Sequence, residues 1–210
     1  MTEARRRPRA DAERNRARLL HAANTVFAAG GADASLEAVA REAGVGIGTL
    51  YRHFPSREAL FDAVYRHEVQ RLVELADTLG SEPPVEALRQ WMYANVGFIA
   101  TKKGMSAALA QVAQAGSELM VVSVERLTQA MGRLLDRASA AGEISTELAP
   151  GPLLRALVGL CYLQESPDWQ ESVLRLVDVL IDGLVARRGR GVGAFCAPFS
   201  AAIPTEPVAG

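Results

Sequence analysis

The sequence has few cysteines, few lysines and no long apolar run, and these shortages exclude several classes of protein. Its two cysteines, Cys161 and Cys196, are too few and too isolated for a disulfide framework or a zinc site. No run of eighteen apolar residues is present, so no transmembrane helix is predicted. The basic start leads into no apolar segment, so a secretory signal is not predicted. The expected location is a reducing cytoplasm.

Signs of an active site are also missing from the sequence. The three histidines, His21, His53 and His67, do not have the spacing of a metal site. No strand leads into a glycine-rich phosphate loop, and the carboxylates have the spacing of solvated helix faces. Cys161 falls in an apolar helix pattern, which favours a buried hydrophobic residue over a nucleophile. The sequence therefore predicts neither an enzyme nor a bound metal or cofactor.

The charge is divided unevenly along the chain. Residues 1–57 contain ten arginines and six acidic residues, whereas residues 58–210 contain thirteen basic and eighteen acidic residues. A basic end on a mildly acidic body indicates contact with a polyanion. Four of the arginines fall in a short predicted arm over residues 1–10: Arg5, Arg6, Arg7 and Arg9. This arm is open to three interpretations, namely a solvated tail, a minor-groove contact and a salt-sensitive phosphate contact.

The hydrophobic pattern is helical along the chain and nowhere alternates as a strand would. Glycine, serine and proline separate the helices, and Pro84 is well suited to the first turn of one of them. The pattern predicts nine helices, at about residues 11–29, 36–43, 48–54, 56–79, 85–101, 104–115, 117–141, 151–164 and 168–187. The glycine- and alanine-rich end, residues 189–210, is expected to be a mobile tail.

Residues 35–57 carry the most informative pattern. Two short predicted helices are joined by a glycine-containing turn over residues 44–47, which is the arrangement of a helix-turn-helix. Apolar residues of this segment are expected to pack on the preceding helix and to leave the polar residues of the second short helix outside. The residues expected to pack together are Leu19, Ala23, Val26, Phe27, Leu36, Val39, Ala40, Ala43, Val45 and Leu50.

The residues left outside are of the types that bind DNA. The hydroxyls of Ser35 and Thr49 suit phosphate oxygens, and Tyr51, Arg52 and His53 suit phosphates or base edges. Glycines in this segment let the backbone approach the duplex, and an arginine stands at the start of the next helix, where N–H groups favour phosphate. The predicted DNA-binding residues are Ser35, Gly46, Ile47, Gly48, Thr49, Tyr51, Arg52, His53 and Arg57. The alternative is an ordinary helical hairpin with Tyr51 and Phe54 in its core.

The run AREAGVGIGTLYRHFPSREALFDAV resembles the DNA-binding signature of TetR-type transcriptional repressors. The resemblance is specific from about Leu19 to Val64 and is weak beyond it. It implies an all-α protein in which a helix-turn-helix domain is followed by a helical domain that binds a small molecule and dimerises. In that family the recognition helix often begins with a polar or basic residue, whereas Ile47 stands here. Ile47 either meets a thymine methyl group or packs inward.

These expectations divide the chain into an arm (1–10), a three-helix DNA-binding domain (11–57), a linking helix (56–79), a ligand-binding and dimerisation domain (80–188) and a tail (189–210). The helices at 151–164 and 168–187 are apolar over more of their surface than packing on one side requires. Ala156, Gly159 and Gly183 allow close approach, so a four-helix homodimer interface is predicted. The alternative is a thick monomeric core.

A small, largely apolar effector is expected in the second domain, and the linking helix is expected to act as a lever. The predicted ligand-binding residues are Trp91, Met92, Asn95, Phe98, Met105, Leu109, Gln111 and Tyr162. An ordinary core of aromatic and methionine side chains is the alternative for each of them. The predicted function is repression from a palindromic operator on double-stranded DNA. The alternatives are a helical small-molecule carrier or sensor without specific DNA binding, and an adaptor that works through protein contacts.

Overall fold

The computed structural model describes residues 6–30, 34–104, 118–144, 148–163, 166 and 168–186. These ranges contain helices and no strand, so the predicted all-α fold is confirmed. The eight helices are α1 (Arg6–Gly30), α2 (Leu36–Glu42), α3 (Ile47–His53), α4 (Arg57–Thr78), α5 (Pro84–Gly104), α6 (Glu118–Ala140), α7 (Pro150–Tyr162) and α8 (Trp169–Ala186). The ninth predicted helix, at 104–115, and the predicted tail lie outside the described residues, apart from Gly104. No helix in the described ranges is long and apolar enough to cross a membrane.

Two helices extend beyond their predicted ends. α1 begins at Arg6 rather than at 11, so the second half of the predicted arm is helical. Pro8 is compatible with this start because N–H groups in a first helical turn have no acceptor within the helix. α5 continues to Gly104 rather than ending at 101, because no glycine or proline interrupts residues 101–103.

Serine side chains fix the starts of two helices that frame the helix-turn-helix. Ser35 Oγ accepts a hydrogen bond from the Ala38 N–H at 3.0 Å, and Ser56 Oγ accepts one from the Ala59 N–H at 3.2 Å. Each bond satisfies an N–H group that the helix itself leaves without an acceptor. α2 and α4 therefore begin at defined positions on either side of α3.

The N-terminal cluster is a hydrophobic core formed by α1, α2, α3 and the first two turns of α4. The residues predicted to pack together do so, although Val26 and Val45 are only partly buried. Phe27 and Phe61 meet at its centre, with their ring centroids 4.5 Å apart. The buried members are Leu19, Leu20, Ala22, Ala23, Phe27, Ala34, Leu36, Val39, Ala40, Ala43, Leu50, Phe54, Leu60, Phe61 and Val64.

The C-terminal cluster is a second hydrophobic core that begins at Tyr65 and includes residues from every later helix. α5 lies at its centre and packs against α4, α6, α7 and α8, and it also packs against α1 of the other cluster. Between α5 and α1, the Thr101 hydroxyl donates to Asn24 Oδ1 at 2.6 Å. Val64 and Tyr65 are consecutive on α4 but belong to different clusters. α4 is therefore a rigid element common to both cores.

Candidate functional site

The turn between α2 and α3 positions α3 through backbone geometry and one buried leucine. Gly44 has φ of +64°, a left-handed conformation that side chains rarely adopt. Its N–H donates to the Arg41 carbonyl at 3.0 Å, and the Val45 N–H donates to the Ala40 carbonyl at 3.0 Å, which closes the end of α2. On α3 itself, Leu50 is fully buried. The opposite face of α3 is thereby held toward solvent.

The exposed face of α3 consists of Ile47, Gly48, Tyr51 and Arg52. Ile47 and Gly48 are adjacent, and Tyr51 and Arg52 follow them four positions later, one helical turn away. The four residues therefore form one continuous surface on the helix. Ile47 is 37% exposed and does not pack inward, while Tyr51 is 46% exposed and lies outside the core. Phe54, by contrast, is buried, as the hairpin interpretation expected. A rigid helix with a phenol, a guanidinium and an apolar side chain on one face suits the DNA major groove.

The other predicted DNA-binding residues lie around this face. Thr49 and His53 are half-buried, and Ser35 and Gly46 are exposed at the starts of α2 and α3. The Ser35 oxygen accepts its capping hydrogen bond, which leaves the hydroxyl hydrogen available to a phosphate oxygen.

Arg57 is partly held by aromatic side chains. Its guanidinium carbon lies 5.0 Å from the Phe61 ring centroid and 5.9 Å from that of Phe27. It therefore covers the aromatic centre of the N-terminal cluster while standing at the start of α4. This packing gives Arg57 a structural role that the sequence pattern did not indicate.

Two arginines of α1 reach the helix-turn-helix, and the sequence reasoning missed both. The guanidinium carbon of Arg16 lies 5.4 Å from the Phe54 ring centroid. Arg18 reaches the turn, since a Cβ atom on Gly44 would lie 2.7 Å from Arg18 Nη2. Both arginines lie outside the apolar face of α1, which is the signal that could have identified them. They add positive charge beside the exposed face of α3.

The predicted ligand-binding residues are mostly packed in the C-terminal cluster. Trp91, Met92, Asn95 and Phe98 are buried, and Tyr162 is exposed at the end of α7. The Trp91 indole N–H donates to the Leu72 carbonyl at 2.8 Å, and the Asn95 amide donates to the Trp91 carbonyl at 3.2 Å. The other three predicted residues, Met105, Leu109 and Gln111, lie outside the described residues.

Two cavities border the junction of the N-terminal and C-terminal clusters. One of about 680 Å³ lies between α1, α4 and α6, and its lining includes Arg16, Arg66, His67 and Arg126. The other, of about 520 Å³, lies between α1, α4 and α5, and Phe98 is the one predicted ligand-binding residue in its lining. The ligand-binding assignment therefore stays a prediction.

The described residues contain no group of three or more His, Cys, Asp or Glu side chains placed to hold a metal ion. Cys161 is buried on α7, as the apolar pattern predicted. Burial raises the pKa of its thiol to about 11. The thiol is therefore protonated at neutral pH and is a poor nucleophile.

Comparison with known proteins gives matches over both parts of the chain. A family model described as bacterial regulatory proteins of the tetR family matches residues 19–64. A second model, described as the C-terminal domain of SbtR-like transcriptional regulators, matches residues 83–186. The first model covers the N-terminal cluster and the second covers most of the C-terminal cluster. No curated protein matches the chain.

Solved structures similar to this chain include several regulators. The TetR transcriptional regulator SCO0520 from Streptomyces coelicolor is 43% identical, with a TM-score of 0.74 over 81% of this chain and 98% of that one. A TetR regulatory protein from Mycobacterium vanbaalenii is 36% identical, with a TM-score of 0.66 over 84% and 98% of the two chains. Salmonella enterica GusR, at 23% identity and a TM-score of 0.55 over 82% and 95%, shares the fold.

Proposed function

The chain belongs to the TetR family of bacterial regulatory proteins, and on that premise we propose that it is a repressor that binds a palindromic operator as a homodimer. The members of this family are transcription regulators rather than enzymes. In the proposal, α3 of each protomer lies in the major groove of one half-site. The observation that carries it is the exposed α3 face formed by Ile47, Gly48, Tyr51 and Arg52 above the buried Leu50. A repressor works beside the chromosome, so we expect it in the cytoplasm.

The homodimer is supported by apolar side chains that α7 and α8 present to solvent. Leu163, just after α7, is 83% exposed, and Val179 on α8 is 68% exposed. Leu176, Val179 and Gly183 are spaced by three and four residues, so they share one face of α8. A two-fold axis through this surface would bury these residues against their copies. A two-fold pair of α3 helices is what two half-sites about 34 Å apart on the duplex require.

We propose that an effector releases the protein from DNA by moving α4. This helix supplies Leu60, Phe61 and Val64 to the N-terminal cluster and Tyr65 and Val69 to the C-terminal one. A small, largely apolar effector bound in the C-terminal region would shift α4 and so change the separation of the two α3 helices. The effector must bind the released state more tightly than the DNA-bound state, and a coupling of about 1–3 kcal/mol is typical.

The test is selection of bound sequences from random duplex DNA at about 150 mM salt, which suppresses non-specific phosphate binding. A homodimeric repressor enriches an inverted repeat, and the effector search then begins from the genes beside matching promoters. An absence of enrichment from a folded dimer purified through a denaturing and refolding step, which removes any bound effector, would reject the proposal in favour of a carrier or sensor.

The role of the exposed α3 face in reading the operator is tested with the double variant Tyr51→Ala, Arg52→Ala. Each base contact contributes about 1–3 kcal/mol of discrimination, so specific affinity should fall by roughly 100-fold or more while affinity for random DNA falls less. Arg133→Ala is the matched control, because Arg133 is an exposed arginine on α6 whose ion pair with Asp77 at 3.1 Å lies in the other cluster. Equal losses in the two variants would show that α3 does not read the operator.

A further inference from the structure

The only two lysines of the chain, Lys102 and Lys103, are adjacent at the end of α5. The other 21 basic residues are arginines. Both lysines enter a cluster of side chains from five helices, which we name the lysine–aromatic cluster. Its members are Tyr65 on α4, Lys102 and Lys103 on α5, Met120 on α6, Tyr162 on α7 and Trp169 on α8.

Lys102 is half-buried, and its ammonium group contacts no anion in the described residues. Its Nζ atom lies 3.8 Å from the Met120 sulfur and 5.9 Å from the ring centroids of both Tyr65 and Tyr162. No carboxylate among the described residues lies within ion-pair distance of it. Burial alone lowers the pKa of Lys102 below its ordinary value. The folded chain thus holds a desolvated positive charge with only sulfur and ring contacts to compensate it.

Lys103 is the second lysine of the cluster. Its ammonium group donates to the Cys161 carbonyl at 3.1 Å and lies 4.3 Å from the Trp169 ring centroid. It also lies 6.0 Å from the Tyr162 ring centroid, so both lysines approach the same exposed ring. The ammonium groups of both lysines therefore approach one tyrosine ring at the surface where α5 meets α7.

Two arginines elsewhere in the C-terminal region are matched by carboxylates, whereas Arg126 donates to Gln70 Oε1 and Arg137 donates to backbone carbonyls. Arg89 pairs with Asp178 and Asp182 on α8, and Arg133 pairs with Asp77. Contacts with aromatic rings and sulfur offset only part of the cost of desolvating a charge, whereas a carboxylate offsets much more. Among the described residues, Lys102 has neither a carboxylate nor another oxygen acceptor as a partner.

We propose that the lysine–aromatic cluster binds the carboxylate group of an anionic effector, with Lys102 as its ion-pair partner. The exposed Tyr162 and the half-buried Trp169 give aromatic surface for the rest of the molecule. This inference rests on the proposed effector response and names the chemical class of the effector.

The position of the cluster explains how such a ligand would reach the DNA-binding helices. Tyr65 directly follows Val64, the last residue of the N-terminal cluster on α4. The Tyr65 hydroxyl donates to the Met120 sulfur at 3.2 Å, the same sulfur that Lys102 contacts. A carboxylate that draws Lys102 away from Met120 removes a contact between α5 and α6 at the sulfur that also joins α4 to α6. The α4 contact at this sulfur lies one residue from the core that holds α3.

The experiment uses the full chain and pairs of ligands that differ only in charge. Benzoate, indole-3-acetate and octanoate are compared with their neutral primary amides, with thermal unfolding and operator binding as readouts. In parallel, an acylating reagent is applied and the modified Lys102 is quantified by peptide mass spectrometry. Because the chain has only two lysines, the signal is readily assigned.

We expect at least one carboxylate to raise Tm by more than 3 °C and to slow acylation of Lys102 at least fivefold, while its amide does neither. Lys102→Met should lose the carboxylate effect and keep a ligand-free Tm equal to or above that of the wild type, since a desolvated charge is removed. Arg133→Met, which removes an exposed paired charge, should respond as the wild type does.

The possible failures separate the two proposals. Equal effects of acid and amide, or no effect of any acid on Tm and acylation, would overturn the anionic site. Binding of a carboxylate that leaves operator affinity unchanged would support the site and contradict the release of DNA by a ligand bound there. Protection of Lys102 from acylation in the wild type tests carboxylate binding even if Lys102→Met does not fold.

Discussion

The N-terminal and C-terminal clusters differ in what they bury. All four buried polar residues of the described chain, Glu68, Asn95, Thr101 and Ser123, lie beyond Tyr65, and the N-terminal cluster contains none. Polar groups cost free energy when buried unless they are hydrogen-bonded. The core that supports α3 is thus apolar, whereas the C-terminal region also buries polar side chains.

The two clusters are coupled because α4 contributes side chains to both of them. Val64 and Tyr65 pack into different cores, and the Asn24–Thr101 hydrogen bond joins α1 to α5. A movement of α4 in the C-terminal region therefore moves part of the support of α3. Each of the following predictions tests how independent the two regions are.

The largest effect is expected where the C-terminal region meets a second copy. Val179→Arg places a charge at the centre of the proposed α7–α8 interface, where it would be desolvated without a partner. We expect a monomer in sedimentation equilibrium and a loss of operator affinity of about 100-fold or more, because the contacts of one half-site are lost.

The control for the dimer is Val121→Arg. Val121 on α6 is 67% exposed, so the same substitution is made at an equally exposed valine outside α7 and α8. It should leave both mass and affinity unchanged. A dimer that survives Val179→Arg would place the interface elsewhere.

The next effect compares two fully buried leucines, one from each cluster. Leu50→Ala and Leu157→Ala should each cost about 2–5 kcal/mol, since both remove a packed side chain. Hydrogen exchange should accelerate mainly in residues 19–64 for the first variant and in α6 to α8 for the second. Acceleration over the whole chain in both variants would instead show one cooperative unit.

A smaller effect is expected from the two glycines of the helix-turn-helix. Gly44→Ala should destabilise the N-terminal region by about 1–2 kcal/mol, because its φ of +64° is unfavourable for alanine. Gly48→Ala has open space around the added methyl group and lies within α3, so stability should rise by roughly 0.5–1 kcal/mol.

Operator affinity distinguishes these glycines further. Gly48→Ala should weaken operator binding despite the gain in stability if the backbone of α3 approaches the duplex closely. Urea unfolding and operator titration measure the two quantities separately. Unchanged affinity in a stabilised Gly48→Ala protein would remove Gly48 from the DNA-binding residues.

The smallest effect concerns an exposed link between α5 and α8. The Tyr93 hydroxyl and then the Arg89 guanidinium hold the pKa of Asp178 below its ordinary 3.8. A carboxylate with a lowered pKa adds stability that is present above 3.8 and is lost as the pH falls through the folded-state value. Asp178→Asn should therefore be slightly less stable than wild type at pH 7, and the difference should shrink below pH 3.8.

Urea titrations between pH 3 and pH 7 measure this difference. Glu171→Gln is the control, because its ion pair with Arg175 lies within α8 and joins no second helix. A difference between Asp178→Asn and wild type that is constant over this range would show that the link to Arg89 and Tyr93 does not depend on the charge of Asp178.

Much of the N-terminal region was predictable because its signals are local. The spacing of Leu36, Val39 and Leu50 predicted the buried faces of two short helices, and Gly44 marked the turn between them. The position of α1 over the helix-turn-helix was also predicted, but its start at Arg6 was not, since proline in a first turn resembles the end of a disordered arm. The contacts of Arg16 and Arg18 with this region required the crossing geometry of α1.

The C-terminal region was predictable in its helices and much less in its site. Aromatic and methionine residues at helical spacing fit either a ligand pocket or a packed core, and Trp91 and Met92 are packed. The lysine–aromatic cluster was missed because its members come from five helices and share no sequence spacing. No local pattern connects Lys102 with Met120 or with Tyr162.

The sequence by itself determined the eight described helices, the turn at Gly44 and the outward face of α3, because helical periodicity and glycine conformation act within a few residues. Only the tertiary structure decided which distant side chains meet, as Lys102 does with Met120 and Arg89 with Asp178. The physical reason is that these contacts depend on how helices cross. Crossing angles follow from packing over whole helix surfaces, whereas periodicity specifies only which face is apolar.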